Sequence, residues 1–280
     1  MEYYQTRENN AMKKEIKFYG GWHPDLPDCR DVPFRLTFRL PPELPAVVDL
    51  RAGCSPVEDQ GALGSCTAQA LVGALEFLQI KAGLPVKDLS RLFAYFNARR
   101  LGGTILWDSG STIRTVVKAG RKYGVCKESL WPYETNLFVV RPTDACYKEG
   151  REHQITAYQR LSGLDEIRAC LAMGLPVVFG FAVYEHAISE EVGRSGVLRI
   201  PEEDERMMGG HAILAVGYDD NAKTILFRNS WGTSWGQAGY GTMPYAYFAG
   251  HPLASDFWAV QATESDLYAM YKISQTEAAV

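Results

Sequence analysis

The sequence predicts an α+β fold, with helices gathered in the first half of the chain and strands in the second. Three observations carry this. Residues 66–81 place Leu71, Leu75 and Leu78 at helical spacing before Gly83 and Pro85 stop the run. Residues 89–100 and 111–123 read as two further helices, the second ended by Gly124. After Pro176 the pattern changes to short apolar runs at 177–183, 211–218, 224–229 and 257–260, which read as strands. At 280 residues the chain can bury one or two substantial cores.

Taken in order, the chain starts with an extended segment. Pro24, Pro27, Pro33, Pro41, Pro42 and Pro45 crowd residues 20–46, and proline at this density disfavours helix. Composition shifts near Val48. The expected division is an N-terminal extension over 1–45, a catalytic domain over 46–263 and a tail over 264–280. Within the domain a left part covers about 60–150 and a right part about 151–263. Asp219, Asp220 and Asn221 supply the turn of a hairpin. Residues 190–208 are rich in acid and read either as a solvated loop or as a flap over one end of a cleft.

Composition excludes several classes. The net charge is −4 and there is no long Lys/Arg run, so a nucleic-acid partner or an anionic membrane surface finds no support. The longest apolar stretches, such as 176–183, are too short to span a bilayer. Residues 1–30 hold no apolar signal-type core, so the protein is expected to stay inside the cell or to leave by a route without that signal. Besides Cys66 there are Cys29, Cys54, Cys126, Cys146 and Cys170, with no zinc-type spacing among them. Free thiols are expected, and Cys126 with Cys146 is the one pair worth considering as a bridge. No metal or cofactor is called for, and a monomer is expected.

Three separated sites carry chemistry. Cys66 opens the first helix, preceded by Gly64 and Ser65, with Gln60 six residues upstream. A helix N-terminus carries partial positive charge that favours thiolate, and a neighbouring imidazolium adds to it. Of five histidines only His211 has two glycines before it and an apolar strand after it. Asn229 then opens Asn229-Ser230-Trp231-Gly232, with Trp235 close behind. Thiol, imidazole and amide in this order suit a nucleophile, a base and a group that orients the base.

These residues resemble the papain-like cysteine peptidases over about 48–260. The resemblance implies a two-domain fold, a helical left domain and an antiparallel β-barrel-like right domain with the active site in the cleft between them. It implies Cys66 as nucleophile, His211 as acid and base, Asn229 as orienter and Gln60 as oxyanion donor beside the Cys66 amide. Trp231 and Trp235 fall at positions that shield the His–Asn bond and floor part of the cleft, or they serve as core packing. Ser109 and Gly110 fall where the family pairs with substrate backbone. Gly180, Gly209, Gly210 and Ala212 fall around the main selectivity pocket, and residues this small imply room for a bulky apolar side chain. Three departures stand out: Thr67 where the family usually has tryptophan, Asp108-Ser109-Gly110 where it has an Asn-Gly-Gly strip, and Leu63 where it carries a disulfide cysteine.

The expected function is therefore cleavage of peptide or protein substrates through an acyl-enzyme. An acyl transferase of transglutaminase type and a silent peptide-binding homologue are the alternatives. The intact quartet speaks against the latter, and the order of the motifs against the former. The 1–45 segment is too short and proline-rich for the helical prosegment of the family. It reads as a short inhibitory strip in the cleft or as a packing arm.

Overall fold

The computed structural model describes residues 20–37, 43–85, 87–249 and 253–263; the chain start and the 264–280 tail lie outside them. A short α1 (Phe34–Thr37) and β1 (Val47–Asp49) precede α2 (Cys66–Lys81), the axis of the molecule. Alanine, leucine and glutamine make α2 a strong helix former, and nearly every side chain from Cys66 to Gln79 is buried. α3 (Arg91–Gly102) starts two residues later than the pattern suggested, because the Ser90 side chain caps it by accepting from Phe93 N–H. α4 (Ile113–Tyr123) likewise starts after Thr112, which accepts from Thr115 N–H.

α5 (Asp144–Gly150) closes the helical half. Beyond it come β2 (Ile155–Leu161), α6 (Leu164–Ala172), β3 (Val177–Tyr184), α7 (Glu190–Ser195), β4 (Met207–Asp219), β5 (Thr224–Arg228), β6 (Tyr240–Pro244) and β7 (Ala254–Thr263). The strands form one antiparallel sheet in the order β2-β7-β3-β4-β5-β6, with β1 also paired to β4. β1 thus belongs to the sheet of the second half although it precedes the helices. β2 and β6 lack a clean apolar run, and pairing with β7 and β5 decides their state over local propensity.

One core joins the halves: Leu71, Leu75 and Leu78 of α2 pack with Val178, Leu214 and Trp258 of the sheet. A second core lies on the other side of the sheet around Phe179, Phe227 and Tyr247, and Phe34 of the N-terminal segment is buried in it. The acid-rich 190–208 segment is not a loose loop: it opens with α7 and is fastened to its neighbours. Leu198 N–H donates to Thr242 O (2.9 Å) and Gly236 N–H to Gly193 O (2.7 Å), which fasten it along β6 and the loop before it. All six cysteines are free thiols, Cys126 and Cys146 included. No helix of the described residues is long and apolar enough to cross a membrane.

Candidate active site

Cys66 is the first residue of α2, with Ser65 at the cap position. His211 lies in β4 opposite Phe181 of β3, and Asn229 immediately follows β5. The sheet and the buried helix thus bring residues 66, 211 and 229 to one place. Cys66 and His211 are both 0% exposed, and Asn229 is 4% exposed. The backbone N–H of Ala212, next to His211, is among the donors to the Cys66 thiol.

The imidazole is held on three sides. Its Nε2 lies 2.8 Å from Asn229 Oδ1, which also accepts from Ser230 N–H at 2.8 Å. That oxygen is therefore an acceptor, and the ring proton is assigned to Nε2. The Trp231 ring stacks on the imidazole at 4.7 Å and 24°, while Phe181 meets it edge-on at 5.8 Å. Trp235 is buried edge-on to Trp231 and against Phe227, so its ring packs behind Trp231.

Gln60 is fully buried and aimed by Ser230. Its Oε1 accepts from Ser230 Oγ (2.6 Å), its N–H donates to Ser230 O (2.9 Å) and its Nε2 donates to Leu63 O (2.9 Å). Gly64 N–H donates to both Asp108 oxygens (3.0 and 3.2 Å). Tyr95 Oη donates to Asp108 and accepts from Gly110 N–H (3.0 Å). The loop before Cys66 and the strip around Gly110 are therefore tied to one carboxylate. Arg99, buried under the Tyr95 ring at 4.3 Å, holds the Ile105 and Trp107 carbonyls (3.1 and 3.0 Å) of the intervening loop.

The cleft is filled by the chain's own residues 20–23. Ser111 N–H donates to Gly21 O (2.7 Å) and His23 N–H to Ser111 O (3.2 Å), a parallel pairing. The backbone that makes these bonds is Ser111, one residue beyond the Ser109–Gly110 pair expected from the sequence. Ser109 offers its carbonyl to His23 Nε2 (2.6 Å). Gly110, at φ +68°, allows the close approach: a Cβ there would lie 2.0 Å from Gly21 O. The Trp22 indole lies on Gly180 and Gly210, where a Cβ would come within 2.0 Å and 2.6 Å of the ring. Trp22 N–H donates to Gly210 O (3.4 Å).

Beyond His23 the segment leaves the cleft and is riveted to its flank. Asp25 accepts from Trp258 Nε1 (2.9 Å) and from Arg114 N–H (3.2 Å). Arg114 pairs with Asp31 (2.5 Å), and Arg160 joins Asp31 (3.3 Å) to Asp256 (2.7 Å). Covered in this way, the pair is electrically quiet. Burial pushes the Cys66 thiol up to about 11, against backbone donors from Ala212 and Gly21 that pull it down. Burial holds the His211 imidazole down at about 4, with Asn229 opposing. The helix N-terminus alone predicts an easily ionised thiol; the desolvation of a fully buried site outweighs it.

Asp108 belongs to the strip read from the sequence, and Ser230 to the Asn229 motif, but neither had a contact assigned there. Ser111, next to that strip, and Tyr133, which only the fold brings near, are the parts of the site that the sequence left out.

A buried thiol at a helix start, an imidazole locked to an amide, and a helix-on-sheet cleft define the cysteine peptidases of two-domain α+β architecture. The model of the papain family cysteine proteases matches residues 44–249, and the chain belongs to that family. An uncharacterised peptidase C1-like protein of Acanthamoeba polyphaga mimivirus is 39% identical over 268 residues, covering 86% of each chain. The crystal structure of xylellain, a cysteine protease from Xylella fastidiosa, is 37% identical with a TM-score of 0.79, covering 87% of this chain and 96% of that one. Cysteine proteinase 3 of Entamoeba histolytica is 28% identical, and the match spans 61% of its length.

Proposed function

We propose that the protein is a cysteine protease held covered by residues 20–23, with Cys66 as nucleophile, His211 as acid and base, Asn229 as orienter and Gln60 as oxyanion donor. The observation that carries this is the Asn229–His211 bond beside a Cys66 that receives the Ala212 amide, with Gln60 locked by Ser230 on the other flank. With the strip withdrawn, water and substrate dipoles reach the pair and the thiol transfers its proton to His211. The thiolate attacks the scissile carbonyl, and the Gln60 amide and Cys66 N–H receive the oxyanion. His211 then protonates the leaving amine and activates the water that frees the acyl group.

The seat of Trp22 supports a substrate reading. Its indole N–H has no hydrogen-bond partner among the described residues, so the pocket selects bulk and apolarity rather than a polar edge. Peptides with tryptophan or phenylalanine in that pocket should both be taken. The acyl-transferase alternative shares the nucleophile but needs an amine in place of water.

The test uses full-length Trp22→Ala protein, fluorogenic peptides and a thiol-reactive epoxide. Hydrolysis, and labelling of the peptide that carries residue 66, should both vanish in Trp22→Ala/Cys66→Ala with the fold intact. Persistent hydrolysis without Cys66 overturns the assignment, and amine incorporation that outruns hydrolysis favours the transferase.

A further inference from the structure

Residues 60 and 65 flank the candidate oxyanion hole. Gln60 carries the amide donor, and Ser65 precedes the Cys66 N–H that supplies the other. Between them runs a glycine-containing loop, with Gly61 at φ +57° and both Gly61 and Ala62 exposed. A loop of this kind does not by itself fix the separation of its ends. Gly64 is held by Asp108 and Gln60 by Ser230 and Leu63, and Tyr133 is the side chain that bonds to both ends at once. Its hydroxyl donates to the Gln60 carbonyl (2.9 Å) and stands 2.5 Å from Ser65 Oγ. With its one proton committed to the carbonyl, it accepts from Ser65, so one oxygen links the two ends of the loop.

Tyr133 is itself aimed. Its N–H donates to Glu128, and Trp131 before it is buried, with its carbonyl accepting from Ser90 Oγ (2.5 Å) at the cap of α3. Pro132 between them restricts the backbone further. Burial pushes the phenol up to about 12, so it remains a donor throughout the range in which the protein would work. The brace therefore runs from α3, through the 128–133 turn, to both sides of the hole.

We infer that Tyr133 is a positioning residue for the oxyanion hole, its hydroxyl setting the distance between Gln60 and the Cys66 amide. This rests on the peptidase reading above. Oxyanion donors must lie within about 2.7–3.1 Å of an oxygen that exists only after attack. A misplacement of about 1 Å is enough to cost about 100-fold. Loss of the hydroxyl should therefore slow acylation without touching the nucleophile.

The experiment compares two reactions of Cys66 in full-length Trp22→Ala protein. Peptide hydrolysis passes through an oxyanion, whereas alkylation by iodoacetamide displaces iodide at an sp³ carbon and passes through none. Tyr133→Phe should lower kcat/KM for peptides about 5- to 30-fold, mainly in kcat, within the limit set by a ~1 Å misplacement. The alkylation rate should stay within about twofold of its parent, as expected when thiolate and imidazole are unchanged. In a Gln60→Ala background the same change should cost less than about twofold more, because the donor it places is gone. Ser65→Ala removes the partner oxygen on the other side and should give the same split, which covers the case in which Tyr133→Phe fails to fold. Equal losses in both reactions, no loss in hydrolysis, or the full loss repeated without Gln60 each overturn the inference. A Trp22→Ala parent that alkylates at Cys66 yet hydrolyses nothing overturns the peptidase reading instead.

Discussion

Gly21→Ala tests the covered state with one methyl group whose nearest neighbours are the backbone atoms of Gly64. A Cβ on Gly21 would lie 1.8 Å from the Gly64 carbonyl oxygen, with the carbonyl carbon 2.4 Å away. Ordinary contact begins near 3.4 Å, so the backbone must open by more than an ångström or residues 20–23 must lift out. Gly64 cannot retreat easily, because Asp108 holds its N–H. Lifting forfeits the Trp22 seat, and losing a buried tryptophan side chain costs about 3–5 kcal/mol. The ladder bonds to Ser111 add about 1 kcal/mol each, offset in part by the freedom the strip regains. Even the lower figure corresponds to an open fraction about 100-fold larger. The assay is the rate of iodoacetamide labelling at Cys66, read by mass spectrometry of its peptide. Exposed Cys29 serves as the internal standard, since its labelling should not change. A Cys66 rate within about twofold of the parent, in protein that is still folded, would refute the steric argument.

The covered state should also have a pH window. Burial holds His211 down at about 4 and Cys66 up at about 11 when covered, so both are neutral between those values. Opening lets the thiol pass its proton to His211, which leaves the number of bound protons unchanged, so opening carries no pH dependence through neutral pH. Cys66 labelling in the full chain, divided by that of Gly21→Ala at each pH, should be flat there and rise only where the open pair gains or loses a proton before the covered one; a ratio that changes steeply across neutral pH counts against the assignment. Asn229→Ala removes the 2.8 Å bond to His211, at a cost of about 1–3 kcal/mol for a buried partner, so kcat/KM should fall about 10- to 100-fold. The Trp231 and Phe181 rings still bracket the imidazole, so a loss as complete as that of Cys66→Ala would show that Asn229 does more than orient.

The four residues of the quartet were legible because each stands beside a local signal: glycines, a helix start, a strand entrance. The α2 pattern and four of the strands were legible for the same reason, since apolar side chains repeat at the period of the element. β2 and β6 were not, because Thr156, Gln159 and Thr242 take strand conformation only where β7 and β5 supply partners. The strip was legible in kind but not in register. The sequence places glycine near the substrate backbone, yet which neighbouring amide forms the ladder depends on the turn held between Asp108 and Tyr95, and Tyr95 stands well before that strip in the chain. Trp22 and Gly180 lie far apart in the chain, and only the fold pairs a large residue with the absence of a side chain.

The carboxylate of Asp108 has one further consequence. Members of the family have a cysteine where this chain has Leu63, and here hydrogen bonds that Asp108 accepts from Gly64 and Tyr95 hold that loop. The cleft is thus built with no covalent cross-link, and all six sulfurs remain thiols. A sulfenic acid formed at an uncovered Cys66 can be returned to thiol by a reductant that has no cystine to break anywhere in the cleft walls.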